Sequence, residues 1–136
     1  MKRNKGAKGK ADKLFSEVVR SIGYCEALDW EEIKCSSQLQ CMHIISRRYS
    51  ATRCDLRNAF SGCAAHHRFF TDHPRQFSRF ITTTWAQEYY DTIYQRSRDP
   101  GIGRQVDWNE RVTFLESIKR GEVSLKEARV IEHAGQ

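Results

Sequence analysis

The spacing of apolar positions changes character along the chain, and each change marks an element. Leu14, Phe15, Val18, Val19 and Ile22 recur every three to four residues, which predicts an amphipathic helix over residues 11–22, with Gly23 as its stop. Residues 38–45 (QLQCMHII) form a short apolar run suited to a strand, and residues 58–62 (NAFSG) suit a second one. The polar stretch 46–57 between them reads as a long loop, and residues from Ala64 to about Asp72 read as a helix. Pro74 suits the first turn of a further helix whose buried stripe is Phe77, Phe80, Ile81 and Trp85, continued by Tyr89, Tyr90, Ile93 and Tyr94.

Residues 99–103 (DPGIG) punctuate the chain as a turn or linker. Asp107 with Glu110 and Ser124 with Glu127 have capping-box spacing, and Lys119-Arg120-Gly121 is a helix stop, so the tail reads as a helical hairpin. The pattern as a whole is α+β: a strand–loop–strand–helix core flanked by helices at both ends. It divides into a disordered basic arm (1–10), a main domain with its flanking helices (11–98), a linker (99–106) and a C-terminal helical hairpin (107–136). That hairpin reads as a small docking or DNA-contacting accessory through which a second copy or another protein could bind, its near-neutral charge arguing against strong phosphate contact.

Charge narrows the partner. The net charge is +6, and residues 1–10 carry Lys2, Arg3, Lys5, Lys8 and Lys10 without one acid. From His43 to Phe80 the cations are all arginine (47, 48, 53, 57, 68, 75 and 79) against Asp55 and Asp72. Arginine's planar fork suits bidentate contact with phosphate, so the balance points to nucleic acid. Lys2, Arg3, Lys5, Arg47, Arg48, Arg53, Arg57 and Arg68 are the candidate DNA contacts. No apolar run approaches the ~18 residues of a membrane span, and the basic N-terminus lacks a signal peptide's apolar segment, so a soluble cytoplasmic protein is expected.

Chemistry concentrates in residues 39–67. Cys63 and His66 have the two-residue gap that lets both reach one ion, and Cys25 and Cys35 offer two more sulfurs across a nine-residue gap. The favoured zinc set is Cys25, Cys35, Cys63 and His66. Cys41 could replace either of the first two, or Cys25 and Cys35 could be ordinary buried thiols; Cys54 reads as a free thiol. His43, Asn58 and His67 could between them supply a general base, an orienting amide and a metal ligand, the parts needed to hydrolyse a phosphodiester with one metal ion.

The pieces Leu39-Gln40-Cys41-Met42-His43-Ile44, Arg47-Arg48-Tyr49, Asn58-Ala59 and Cys63-Ala64-Ala65-His66-His67 resemble the HNH branch of the His-Me finger (ββα-metal) nucleases. The likeness spans roughly residues 24–80 and is strongest to the short phage- and prophage-encoded members. It implies an HNH endonuclease with a ββα-metal core stapled by a zinc knuckle. By the same resemblance His43 is the general base, Asn58 orients it or helps bind the catalytic cation, and His67 ligates that cation. The cation is expected to be Mg²⁺ or Mn²⁺, with Arg47 or Arg48 on the scissile phosphate. Met42 stands where many relatives carry a metal ligand before the base, and Thr71 where many carry a further histidine, for which Asp72 or His73 could substitute. Two rivals follow: a catalytically silent, zinc-stabilised DNA-binding module, and a nuclease selective for junctions or flaps.

Overall fold

The computed structural model describes residues 2–28 and 30–134, and the side chains of Lys2, Arg3 and Lys5 lie outside the described part. Among the described residues the chain is α+β, with eight helices and one two-stranded antiparallel sheet. Helix α1 (Lys2–Arg20) leads through a turn-rich segment to β1 (Leu39–His43), then α2 (Ser50–Arg53), β2 (Ala59–Cys63) and α3 (Ala64–Asp72). There follow α4 (Pro74–Thr84), α5 (Gln87–Ser97), α6 (Pro100–Arg104), α7 (Trp108–Lys119) and α8 (Leu125–Ala134). None of these helices is long and apolar enough to cross a membrane.

The ribbon pairs Leu39 with Cys63, Cys41 with Ser61 and His43 with Ala59, and it separates two apolar clusters. Strand side chains alternate between faces. On one face Met42 and Phe60, which are register partners, join Phe70 of α3 and Phe80 and Ile81 of α4. Gly62 is small for a reason on this face: a Cβ there would sit 2.7 Å from the Met42 sulfur. On the other face Ala59 and Cys41 meet the α1 stripe of Ala11, Leu14, Phe15, Val18 and Val19, backed by Trp108, Val112, Leu115 and Ile118 of α7.

Three expectations are corrected here. Residues 2–10 are not a disordered arm but the first turns of α1. Ala7 packs against the core, the Lys8 ammonium lies 5.4 Å from the centre of the Trp108 ring, and Lys10 pairs with Glu116 at 3.6 Å, so the helix has partners well before residue 11. The C-terminal hairpin is not an accessory: α7 supplies Trp108, Val112, Leu115 and Ile118 to the first core and Ala128 of α8 is fully buried in it. Arg129 of α8 also reaches Glu26 at 3.1 Å and the carbonyl oxygens of Leu56 and Ala59, which ties the tail to the start of β2. Residues 99–103 are no free linker either. Asp99 accepts from the Ile102 N–H at 3.1 Å and caps the short α6. The aromatic stripe breaks into α4 and α5 at Ala86, whose φ is 92°.

Candidate metal centre and its neighbouring histidine

Three separate segments bring their sulfurs to one point. Cys25 follows α1, Cys35 precedes β1, and Cys63 closes β2 as the N-cap of α3, so that His66 comes round on the first turn of the helix. The gap between Cys25 and Cys35 is folded up by turns (Leu28 N–H to Cys25 O, Trp30 N–H to Ala27 O, Ile33 N–H to Trp30 O), which is why nine intervening residues do not separate them. Glu26 holds this segment to the ribbon by accepting from the Ser61 N–H at 2.7 Å.

The ligand atoms of Cys25, Cys35, Cys63 and His66 all lie within 4.8 Å of one another. His66 Nδ1 is 3.6 Å from the Cys25 sulfur, 3.6 Å from that of Cys35 and 3.1 Å from that of Cys63. A tetrahedral zinc with Zn–S of ~2.3 Å and Zn–N of ~2.0 Å has a sulfur–nitrogen edge of about 3.5 Å. The donor set therefore fits a structural metal such as zinc. All five cysteines are free thiols. Cys41 lies toward the α1 core, outside the cluster, and Cys54 is buried with its sulfur 3.6 Å from an Asp12 oxygen.

Electrostatics in the cluster favours a cation. Burial pushes the Cys63 thiol up, but hydrogen bonds from the His66 backbone and ring and from Ser36 outweigh it and bring its pKa to about 6. Burial, reinforced by the neighbouring Cys25 and Cys63, pushes Cys35 the other way, to about 12. Three sulfurs this close share their protons poorly. A dication would stabilise all three as thiolates.

The residues expected to do chemistry are arranged less completely. His43 ends β1, half-buried, with its ring 5.3 Å from that of Phe15. Its Nε2–H donates to the Arg53 carbonyl at 2.9 Å, which fixes the tautomer and leaves Nδ1 without a hydrogen-bond partner among the described residues. Burial lowers the pKa of His43, with the charges of Arg47 and Arg53 adding to the effect and the Arg53 carbonyl opposing it.

Asn58 is fully buried, and its amide spans the loop. Oδ1 accepts from the Ile45 N–H at 2.7 Å, while Nδ2 donates to the carbonyl oxygens of Ile45 and Thr52, each at 3.0 Å. Asn58 is thus committed to backbone on both sides of the loop, which corrects its expected part as a cation ligand. It positions His43 indirectly, because Thr52 and Arg53 are adjacent on α2.

His67 sits apart from both. Its Nδ1 is hydrogen-bonded to Gln40 Oε1, leaving Nε2 open. Gln40 and Met42 share one face of β1 and His43 points to the other, and among the described residues no hydrogen bond or ring contact joins His67 to His43 or Asn58. The three groups do not converge through direct contacts. Met42 is buried at 6% exposure. Thr71 bonds back to the His67 carbonyl, and His73 bonds to the Phe69 carbonyl and stacks on its ring at 4.4 Å, so His73 is turned away from a ligand's part.

The arginines sort by partner. Arg53 forks onto Asp12 at 2.8 and 2.7 Å, and Arg57, 1% exposed, forks onto Asp55 at 3.0 and 2.7 Å. Both were expected on DNA; both instead hold the fold. Arg47, Arg48 and Arg68 are exposed and, among the described residues, form no ion pair with a carboxylate. Sequence reasoning left out Gln40, Phe15 and the Arg98–Tyr49 contact described below. The Tyr94-x-Arg96-x-Arg98 interleaving was the visible sign of the last.

Compared with known proteins, the chain matches no family model, no curated protein and no solved structure.

Proposed function

We propose that the protein is a metal-dependent DNA endonuclease in which His43 takes a proton from the attacking water. The observation that carries this reading is the clamp on His43. Asn58 fastens the loop, the loop presents the Arg53 carbonyl, and that carbonyl holds Nε2–H so that Nδ1 is the free basic atom. A pKa below its ordinary 6.5 keeps the ring neutral, and so able to accept a proton, at pH 7. The order β1, arginine-bearing loop, β2, α3, pinned by the Cys₃His cluster, agrees with the ββα-metal layout of the HNH nucleases.

His67 would hold the catalytic cation through Nε2, with water and DNA phosphate completing its shell. A bound Mg²⁺ or Mn²⁺ would supply charge neutralisation at the phosphate and leaving oxygen. Arg47 and Arg48, exposed on the loop beside His43, would grip the scissile phosphate.

A second reading, a zinc-stabilised DNA-binding module without catalysis, is favoured by a specific arrangement. Met42 is buried, Asn58 is spent on backbone, and His67 is held on the strand face away from His43. Plasmid cleavage with Mg²⁺, Mn²⁺ or neither decides between them. The nuclease should nick only with a divalent cation, and His43→Ala should lose at least ~100-fold in rate while still binding DNA. Tight DNA binding with no cleavage under any cation would select the module. Comparing linear duplex with a four-way junction tests the structure-selective variant.

A further inference from the structure

A groove of about 510 Å³ runs between the start of α2 and the α5–α6 corner, lined by Arg48, Tyr49, Ser50, Arg98, Gly103 and Arg104 among others. The Arg98 guanidinium carbon lies 3.9 Å from the centre of the Tyr49 ring and 4.4 Å from that of Tyr94, and its Nη1 donates to Ser97 Oγ at 3.0 Å. Arg48 also stands over the same tyrosine, at 5.1 Å. Among the described residues, Arg48, Arg98 and Arg104 form no ion pair, whereas Arg53, Arg57, Arg96, Arg111, Arg120 and Arg129 all have a carboxylate. The one acid in the wall, Asp99, has an oxygen engaged in capping α6.

A guanidinium held against two aromatic rings, with Nη1 engaged by Ser97, still has N–H groups to offer and loses little freedom on binding. Planar, stacked and unneutralised, it suits bidentate contact with a phosphodiester. The groove also shares α2 with the clamp on His43, since Tyr49 and Ser50 begin the turn that ends at Arg53. The geometry points to this groove as a phosphate-backbone site that starts at the edge of the HNH-like segment and carries the DNA strand past the loop onto residues 98–104, beyond that segment. The inference rests on the nuclease reading only for its choice of DNA as the polyanion.

Binding of the full-length, zinc-supplemented protein to a fluorescein-labelled duplex, read by anisotropy across a salt series with no added Mg²⁺ or Mn²⁺, tests it. Arg98→Gln with Arg104→Gln should weaken binding at least tenfold and lower the slope of log K against log salt by about two. Arg104→Gln alone, which touches no ring, should lower the slope by about one with the thermal midpoint unchanged, and Arg98→Lys should fall between wild type and the double variant. Unchanged affinity and slope in Arg104→Gln and in the double variant would overturn the groove, even with cleavage intact. Preference for RNA over DNA of the same sequence would overturn the choice of ligand. Groove-dependent binding without cleavage would leave this site standing and remove the nuclease reading instead.

Discussion

The two ends of the β1–β2 ribbon are built to different standards of completeness. At the Cys63 end, four ligand atoms from three segments already stand within 4.8 Å of one another. At the His43 end, one imidazole is held in one tautomer by a loop that a buried amide fastens, and the surrounding polar groups are occupied by structural partners. The contrast separates two tasks. A structural metal needs every ligand in place as the chain folds, because its binding energy is folding energy. A reacting group needs one free atom and a rigid support.

The largest effect should come from the metal end. Cys63→Ala removes a ligand and the side-chain cap of α3 together, and should cost well over 3 kcal/mol, giving a chain without a cooperative thermal transition. Removing the metal with a chelator should do the same to wild type. A sharp transition near the wild-type temperature in both cases would show that the cluster holds no structural ion.

Next is Arg57→Met, which leaves the Asp55 carboxylate, 3% exposed, with the backbone N–H of residue 57 and the longer 3.6 Å approach of Arg96, and should cost about 3 kcal/mol by chemical denaturation. Asn58→Ala should cost about 2–3 kcal/mol by removing the partners of the Ile45 N–H and carbonyl and one of those of the Thr52 carbonyl. It should also depress cleavage although Asn58 touches no substrate; full activity would detach the clamp from the chemistry. Asp12→Asn, at the partly exposed Arg53 fork, should cost about 1 kcal/mol.

Acid gives the smallest effect. Burial holds the folded pKa of His43 below the 6.5 of the unfolded chain. Its contribution is therefore full above pH 6.5 and declines as pH falls from there toward the lowered folded value, where the unfolded state binds a proton that the folded state refuses. His43→Gln should flatten stability against pH in that window. An unchanged slope would mean that burial does not disfavour the imidazolium.

What the sequence disclosed follows from range. The limits of α3, the stripe of α1 and the pairing of Cys63 with His66 depend on near neighbours, and each could be read from spacing. The cation residues did not resolve in the same way. Charge is visible in sequence, but the group that neutralises it is not. Arg53 finds Asp12 across 41 positions, and Arg129 finds Glu26 across 103. The role of α7 and α8 was hidden for a like reason, since an amphipathic hairpin near neutrality reads as an accessory until its apolar face is seen against α1. Asn58 was legible as an orienting amide; only its hydrogen bonds show that nothing is left over for a cation.

Imidazole rescue of His43→Ala tests the clamp on His43 most directly. With Mg²⁺ present and zinc content equal to wild type, the variant should cut plasmid DNA at background rate, and added imidazole should restore cleavage at least tenfold in proportion to its neutral form. Cleavage by His43→Ala at the wild-type rate without imidazole would contradict the assignment of His43 as the base.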